Sequence, residues 1–234
     1  MGDGRAQGEF LQPSGMWTGG RSGEDVPRVG GVSTRIVVVY YSATGNTAQL
    51  AESLAKGARE TGADVRLRTV AETGPPAAIA SNARWQAHVD AGPHAELATL
   101  DDLDWADGFA FGSPTRFGGP ASQLKSFLDT TGGLWAQGKL ADKVATSFTT
   151  ASTAHGGLES TVLAINNIFY HWGSIVLPLG YDDPHLKESG NPYGGSWVSR
   201  KSAGPDDIAL GALELQGARL AKIAGYVAAG LRAE

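Results

Sequence analysis

Six residues, Ile36-Val37-Val38-Val39-Tyr40-Tyr41, constrain this chain more than any other feature. They are β-branched or aromatic without a break, and no polar residue falls at alternate positions. A strand with one wet face alternates, whereas a continuous apolar run marks a strand buried on both faces, as in a parallel sheet covered by helices. The run ends in Ser42-Ala43-Thr44-Gly45-Asn46-Thr47, after which Leu50, Ala51, Leu54, Ala55 and Ala58 recur at helical spacing. Gly62 stops that helix, and residues 65–70 read as a second strand. Strand, loop, helix and strand at these lengths form a βαβ unit with parallel pairing.

The pattern continues to the C-terminus. Residues 107–112 predict a short central strand, 113–120 a loop, and 122–130 a helix with Leu124, Phe127 and Leu128 on one face. Residues 143–150 predict a fourth strand, 158–172 a helix, 174–177 a fifth strand and 205–231 a closing helix. The polar stretch 72–99, with Pro75-Pro76 and Pro93, reads as an excursion holding one short helix at about 77–91. The expected fold is therefore α/β, a doubly wound five-stranded parallel sheet with helices on both faces. It spans residues 35–234, behind a glycine-rich, flexible extension at 1–34 that lacks the apolar content to join a core.

Composition removes several function classes. With 19 Lys plus Arg against 24 Asp plus Glu, the net charge is −5, and no basic block is present to displace counterions from a nucleic acid. No apolar run reaches the roughly 20 residues of a membrane-spanning helix. Phe10-Leu11 is too short for the core of a signal peptide, so the expected location is the cytoplasm. There are no cysteines, which removes disulfides, thiolate metal sites and cysteine nucleophiles. Any redox chemistry must come from a cofactor. No metal site is expected.

In open parallel sheets, ligands sit beyond the carboxyl ends of the strands. Three loops leave such ends with small, hydroxyl- and glycine-rich compositions. In the first, Ser42, Thr44, Asn46 and Thr47 each offer a donor beside Ala43 and Gly45, and the following helix adds free N–H groups. Four side-chain donors in six residues exceed what a helix cap needs. The loop is a phosphate cradle without lysine or arginine, and it matches neither the Mg-nucleotide pattern nor the dinucleotide fingerprint. The second loop joins Pro114, Thr115, Arg116, Phe117 and Gly118, a charged donor and an aromatic face suited to a planar heteroaromatic ring. The third, Thr150, Ala151, Ser152, Thr153, Ala154 and His155, is suited to wrapping another edge, with His155 an exposed loop residue rather than a catalyst.

The strand–Ser-Ala-Thr-Gly-Asn-Thr–helix opening resembles the FMN-phosphate loop of flavodoxin-like proteins. The runs Gly112-Ser113-Pro114-Thr115-Arg116-Phe117-Gly118, Phe127-Leu128-Asp129-Thr130-Thr131-Gly132-Gly133-Leu134-Trp135 and Asn191-Pro192-Tyr193-Gly194 resemble the WrbA family of NAD(P)H:quinone oxidoreductases. The similarity extends from about residue 35 to 231, with its motifs in order. It implies bound FMN and two-electron, ping-pong hydride transfer from NADH or NADPH to quinones, with the flavin rather than a catalytic side chain carrying the chemistry. The alternative is an electron-carrier flavodoxin serving a redox partner protein.

Carried over by position, the resemblance implies that residues 42–47 hold the phosphate, that 114–118 hold the ring's edge and that 150–155 line the rest. Trp135, His171 and Thr44 would meet quinone or nicotinamide. A homo-oligomer, with a tetramer favoured, would border each flavin site with neighbouring chains. Three departures from the family pattern stand out. Thr44 replaces a frequent aromatic. The third loop is one residue longer than usual and poorer in glycine. A pair of histidines appears as His171-Trp172, which would set Trp172 at the flavin.

Overall fold

The computed structural model describes residues 33–92, 94–199 and 204–233. The expected extension at 1–34 lies, apart from its last two residues, outside the described residues. The elements run β1 (Arg35–Tyr40), α1 (Asn46–Glu60), β2 (Asp64–Thr69), α2 (Pro76–Ala80), α3 (Ala83–Asp90), β3 (Glu96–Leu97), α4 (Leu100–Trp105) and β4 (Gly108–Arg116). They continue with β5 (Gly119–Pro120), α5 (Ser122–Asp129), α6 (Gly132–Ala136), β6 (Val144–Ala151), α7 (Leu158–Trp172), β7 (Ile175–Val176), α8 (Pro184–Ser189), β8 (Ser196–Val198) and α9 (Asp207–Leu231).

The sheet order is β3-β2-β1-β4-β6-β7. Five of its strands, β2, β1, β4, β6 and β7, are the five expected, all paired in parallel. Three short strands extend them. β3 adds an edge beside β2, β5 folds back antiparallel on β4, and β8 pairs with the carboxyl half of β6. The stretch 113–120, expected as a loop, is a strand as far as Arg116, because Ser113 and Pro114 stay in register with Thr149 and Thr150. A proline cannot donate to a ladder and so disguises a strand end. The excursion holds two helices rather than one. The break comes at Asn82, whose side chain accepts from the Arg84 and Trp85 N–H groups and starts α3.

Both faces of β1 are buried, as its sequence requires. Ile36, Val38 and Tyr40 pack with α1 and α9, while Val37, Val39 and Tyr41 pack with α4, α5, α6 and α7. Gln216 ties the first layer to the sheet. Its amide donates to Thr146 Oγ1 at 2.7 Å and to the Ser147 carbonyl at 3.0 Å, and its carbonyl accepts from Gly195 N at 2.9 Å. This buried amide spends every group it brings. Among the described residues, no helix is long and apolar enough to cross a membrane.

The α1–α9 contact is backbone to backbone. A Cβ at Gly217 would collide with the Leu54 carbonyl, and one at Gly57 with the Glu214 carbonyl. Ala in place of Gly inside a helix ordinarily gains up to about 1 kcal/mol. Here Gly217→Ala is expected to lose about 2–3 kcal/mol through overpacking. Gly230, in the same helix with nothing within 4 Å, is the control, and Gly230→Ala should be neutral or slightly stabilising. Urea unfolding of the two variants checks the pair.

Candidate functional site

The three loops meet at the carboxyl edge of the sheet. In the first, Ser42 Oγ accepts from Gly45 N at 3.1 Å, and Gly45 sits at φ +89°, a left-handed conformation that glycine adopts freely. Gly45 is the N-cap of α1, and no side chain caps the helix. The N–H groups of its first turn therefore remain available to an anion, with the helix dipole behind them. Ser42, Ala43, Asn46 and Thr47 are buried, and Thr44 is half-buried.

Side-chain bonds lock the loops to one another. Thr47 Oγ1 and Thr150 Oγ1 are 3.0 Å apart, which joins the first loop to the third. Thr115 Oγ1 accepts from Gly118 N at 3.2 Å and bonds Thr161 Oγ1 of α7 at 2.8 Å. Gly157, at φ +98°, has no room for a Cβ because Gly118 Cα would be 2.8 Å away, so the second and third loops touch there. Gly157 also starts α7 without a side-chain cap, and a second set of free N–H groups faces the same edge. Ser152, Thr153, Ala154 and His155 are exposed. Pro114 is buried, Arg116 is exposed, and Phe117 is fully exposed at φ +53°. A bulky residue in that conformation stores about 1–3 kcal/mol of strain.

A carboxylate that sequence reading passed over organises one flank. Glu72 accepts from Tyr41 Oη at 2.9 Å, Trp85 Nε1 at 2.7 Å, Gln123 Nε2 at 2.9 Å and Gly74 N at 2.6 Å. It thus joins β1, α3 and α5. Burial raises its pKa, but the four donors outweigh that and leave the carboxyl below its ordinary value of 4.5. In sequence it is one acid in a polar stretch without a period, so nothing singled it out. Because its pKa is depressed on folding, its stabilisation is full above 4.5 and is lost as pH falls through the lower folded value. Glu72→Ala should cost about 1–2 kcal/mol at neutral pH, at the low end because the group is partly open to water. The deficit should vanish in acid, as read from urea midpoints across pH.

Two expected substrate contacts lie elsewhere. α5 and α7 run back from the loops, so α6 and the end of α7 stand at the amino edge of the sheet. There Trp135, 56% exposed, donates from Nε1 to the His171 carbonyl at 2.8 Å. Trp135 and His171 are together, but apart from the three loops of their own chain. Trp172 corrects the expectation of a cofactor contact. It is buried, and its indole lies 5.8–5.9 Å from the rings of Phe109, Phe111 and Phe169. An apolar ring at that helix end completes the core instead of facing a ligand.

Comparison with known proteins shows the family. The family described as NADPH-dependent FMN reductase matches residues 34–181. NAD(P)H dehydrogenase (quinone) of Deinococcus radiodurans is 42% identical over 163 residues, 69% of this chain and 82% of that protein. The protein of the same name from Paracoccus denitrificans is 38% identical over 210 residues, 86% and 99% of the two chains. The chain belongs to the FMN reductase family. A WrbA-like flavodoxin from Agrobacterium tumefaciens superposes with a TM-score of 0.61 at 27% identity, covering 82% of this chain and 98% of that one. An archaeal flavodoxin, with a TM-score of 0.55 at 20% identity over 82% and 99%, shares the fold. FMN is the cofactor of this family, and the loop donors fit it, since the start of α1 leaves its N–H groups uncapped for a terminal phosphate.

Proposed function

We propose that the protein reduces quinones with NADH or NADPH as an FMN enzyme. The observation that carries this reading is the meeting of three hydroxyl-rich loops and two uncapped helix starts at one sheet edge, beside a bare, strained phenylalanine. Bound FMN supplies two-electron hydride chemistry, and the chain's own part is to bind and position. Ser42, Ala43, Thr44, Gly45, Asn46 and Thr47 hold the phosphate. Pro114, Thr115, Arg116, Phe117 and Gly118 take one edge of the ring, and residues 150–155 take the other. Nicotinamide and quinone are both flat and take turns at the same apolar mouth, near Thr44 and Phe117.

The full-length protein, loaded with FMN, should oxidise NADH or NADPH rapidly when a water-soluble quinone is present, with one quinol formed per nucleotide. Slow oxidation regardless of quinone would leave the electron-carrier reading standing instead. Thr44→Ala with Thr47→Ala should weaken FMN binding by a factor of about a hundred or more. Each lost bond to a charged group is worth about 1.5–3 kcal/mol. Flavin fluorescence titration of the double variant measures this, with circular dichroism to show that it folds.

The reading extends to assembly and location, a cytoplasmic homotetramer. Trp135 is an exposed indole at the amino edge, with Tyr170 and Leu163 also exposed on α7. Large apolar side chains at a surface favour burial against another subunit. In a closed assembly, Trp135 and His171 of one chain border the loops of the next. Trp135→Ala should then impair quinone turnover well beyond any loss of FMN affinity, and light scattering should report a mass near four chains. An active monomer would defeat this part of the reading.

A further inference from the structure

A phosphate dianion is held best by a fixed positive charge, yet the cradle at 42–47 contains no lysine or arginine. The structure brings one from the excursion. α3 turns one face to the loop and presents Arg84 and His88, one helical turn apart. Arg84 Nη2 donates to Asn46 Oδ1 at 3.4 Å. His88 packs against the loop's turn, where a Cβ at position 45 would lie 3.6 Å from its Nδ1. The helix is fixed from behind, because Trp85, adjacent to Arg84, is bonded to Glu72 and Asn82 caps the first turn.

The two side chains differ in charge. Burial, then the stacked His94 ring 4.2 Å away, lowers the His88 pKa, while Glu72 and the Ser42 carbonyl oppose that shift. His88 therefore packs against the turn of the cradle while burial disfavours its charged form. Arg84 is exposed, and among the described residues no carboxylate lies within ion-pair distance of it. Its one side-chain bond, to Asn46, is long and to a neutral acceptor, so it exchanges readily for a charged one.

We propose that Arg84 is the charge partner of the FMN phosphate and that α3 is the outer wall of the phosphate site, with His88 a positioning residue for the loop. The proposal rests on the reading of residues 42–47 as the phosphate cradle. On FMN binding, the guanidinium leaves Asn46 and takes phosphate oxygens, for which its planar fork is suited. Affinity then gains a component that is screened by salt and that requires the phosphate.

The experiment titrates the full-length apoprotein with FMN and, separately, with riboflavin, which lacks the phosphate, at low and high salt. Arg84→Ala should weaken FMN binding about tenfold or more, leave riboflavin binding unchanged and flatten the salt dependence for FMN. Arg84→Lys should restore part of the loss. Wild-type FMN affinity and salt dependence in Arg84→Ala would overturn the proposal, as would equal losses for both ligands, which would mark a structural role. The Thr44→Ala, Thr47→Ala variant separates the two levels. If it loses FMN selectively while Arg84→Ala does not, only the Arg84 assignment fails. If neither does, the cradle reading fails and the proposal with it.

Discussion

Every other element is arranged around the need to cover both faces of β1. From Ile36 onward it leaves no wet side, so helices must lie above and below it, and the parallel neighbours β2 and β4 are what those helical crossovers deliver. Parallel strands end at one edge. The loops that follow β1, β4 and β6 are therefore brought together by the same constraint that buries the core, and the ligand site is a geometric consequence of hydrophobic coverage. The tight α1–α9 contact completes one layer, and the aromatic set Phe109, Phe111, Phe169 and Trp172 completes the other.

Polar groups within these layers are used to fix position rather than to add stability. Gln216 pins α9 to β6, and Asp102 receives Arg66 and Arg68 from β2 while closing a capping box with Thr99. Glu72 collects four donors, from Tyr41 just after β1, from Gly74, from α3 and from α5. Each is an acceptor or amide with partners from distant parts of the chain as well as near ones. Hydrogen bonds of this kind contribute modestly when made and cost more when broken, so they select one arrangement of the excursion and the helices over its neighbours. The excursion at 72–99 is thereby held as a defined wall beside the first loop.

What the sequence determined by itself was the local and periodic part. The unbroken apolar run of β1, the helical spacing of α1, the span of α7 at 158–172 and the glycine- and hydroxyl-rich loops were all legible, because each is a short-range pattern set by backbone geometry and burial. Tertiary structure decided the rest. The strand through Pro114 exists because β6 lies beside it, and β3 and β8 are too short to show a period. Trp172 reads equally as a ligand contact or a core ring until Phe109 and Phe111 are seen against it. Glu72, Arg84 and His88 carry no pattern at all in the chain. Their meaning comes from neighbours dozens of residues away, Tyr41, Asn46 and Gly45, and only folding brings such pairs within reach. Side-chain period reports which face an element buries, while the identity of a long-range partner is a property of topology alone.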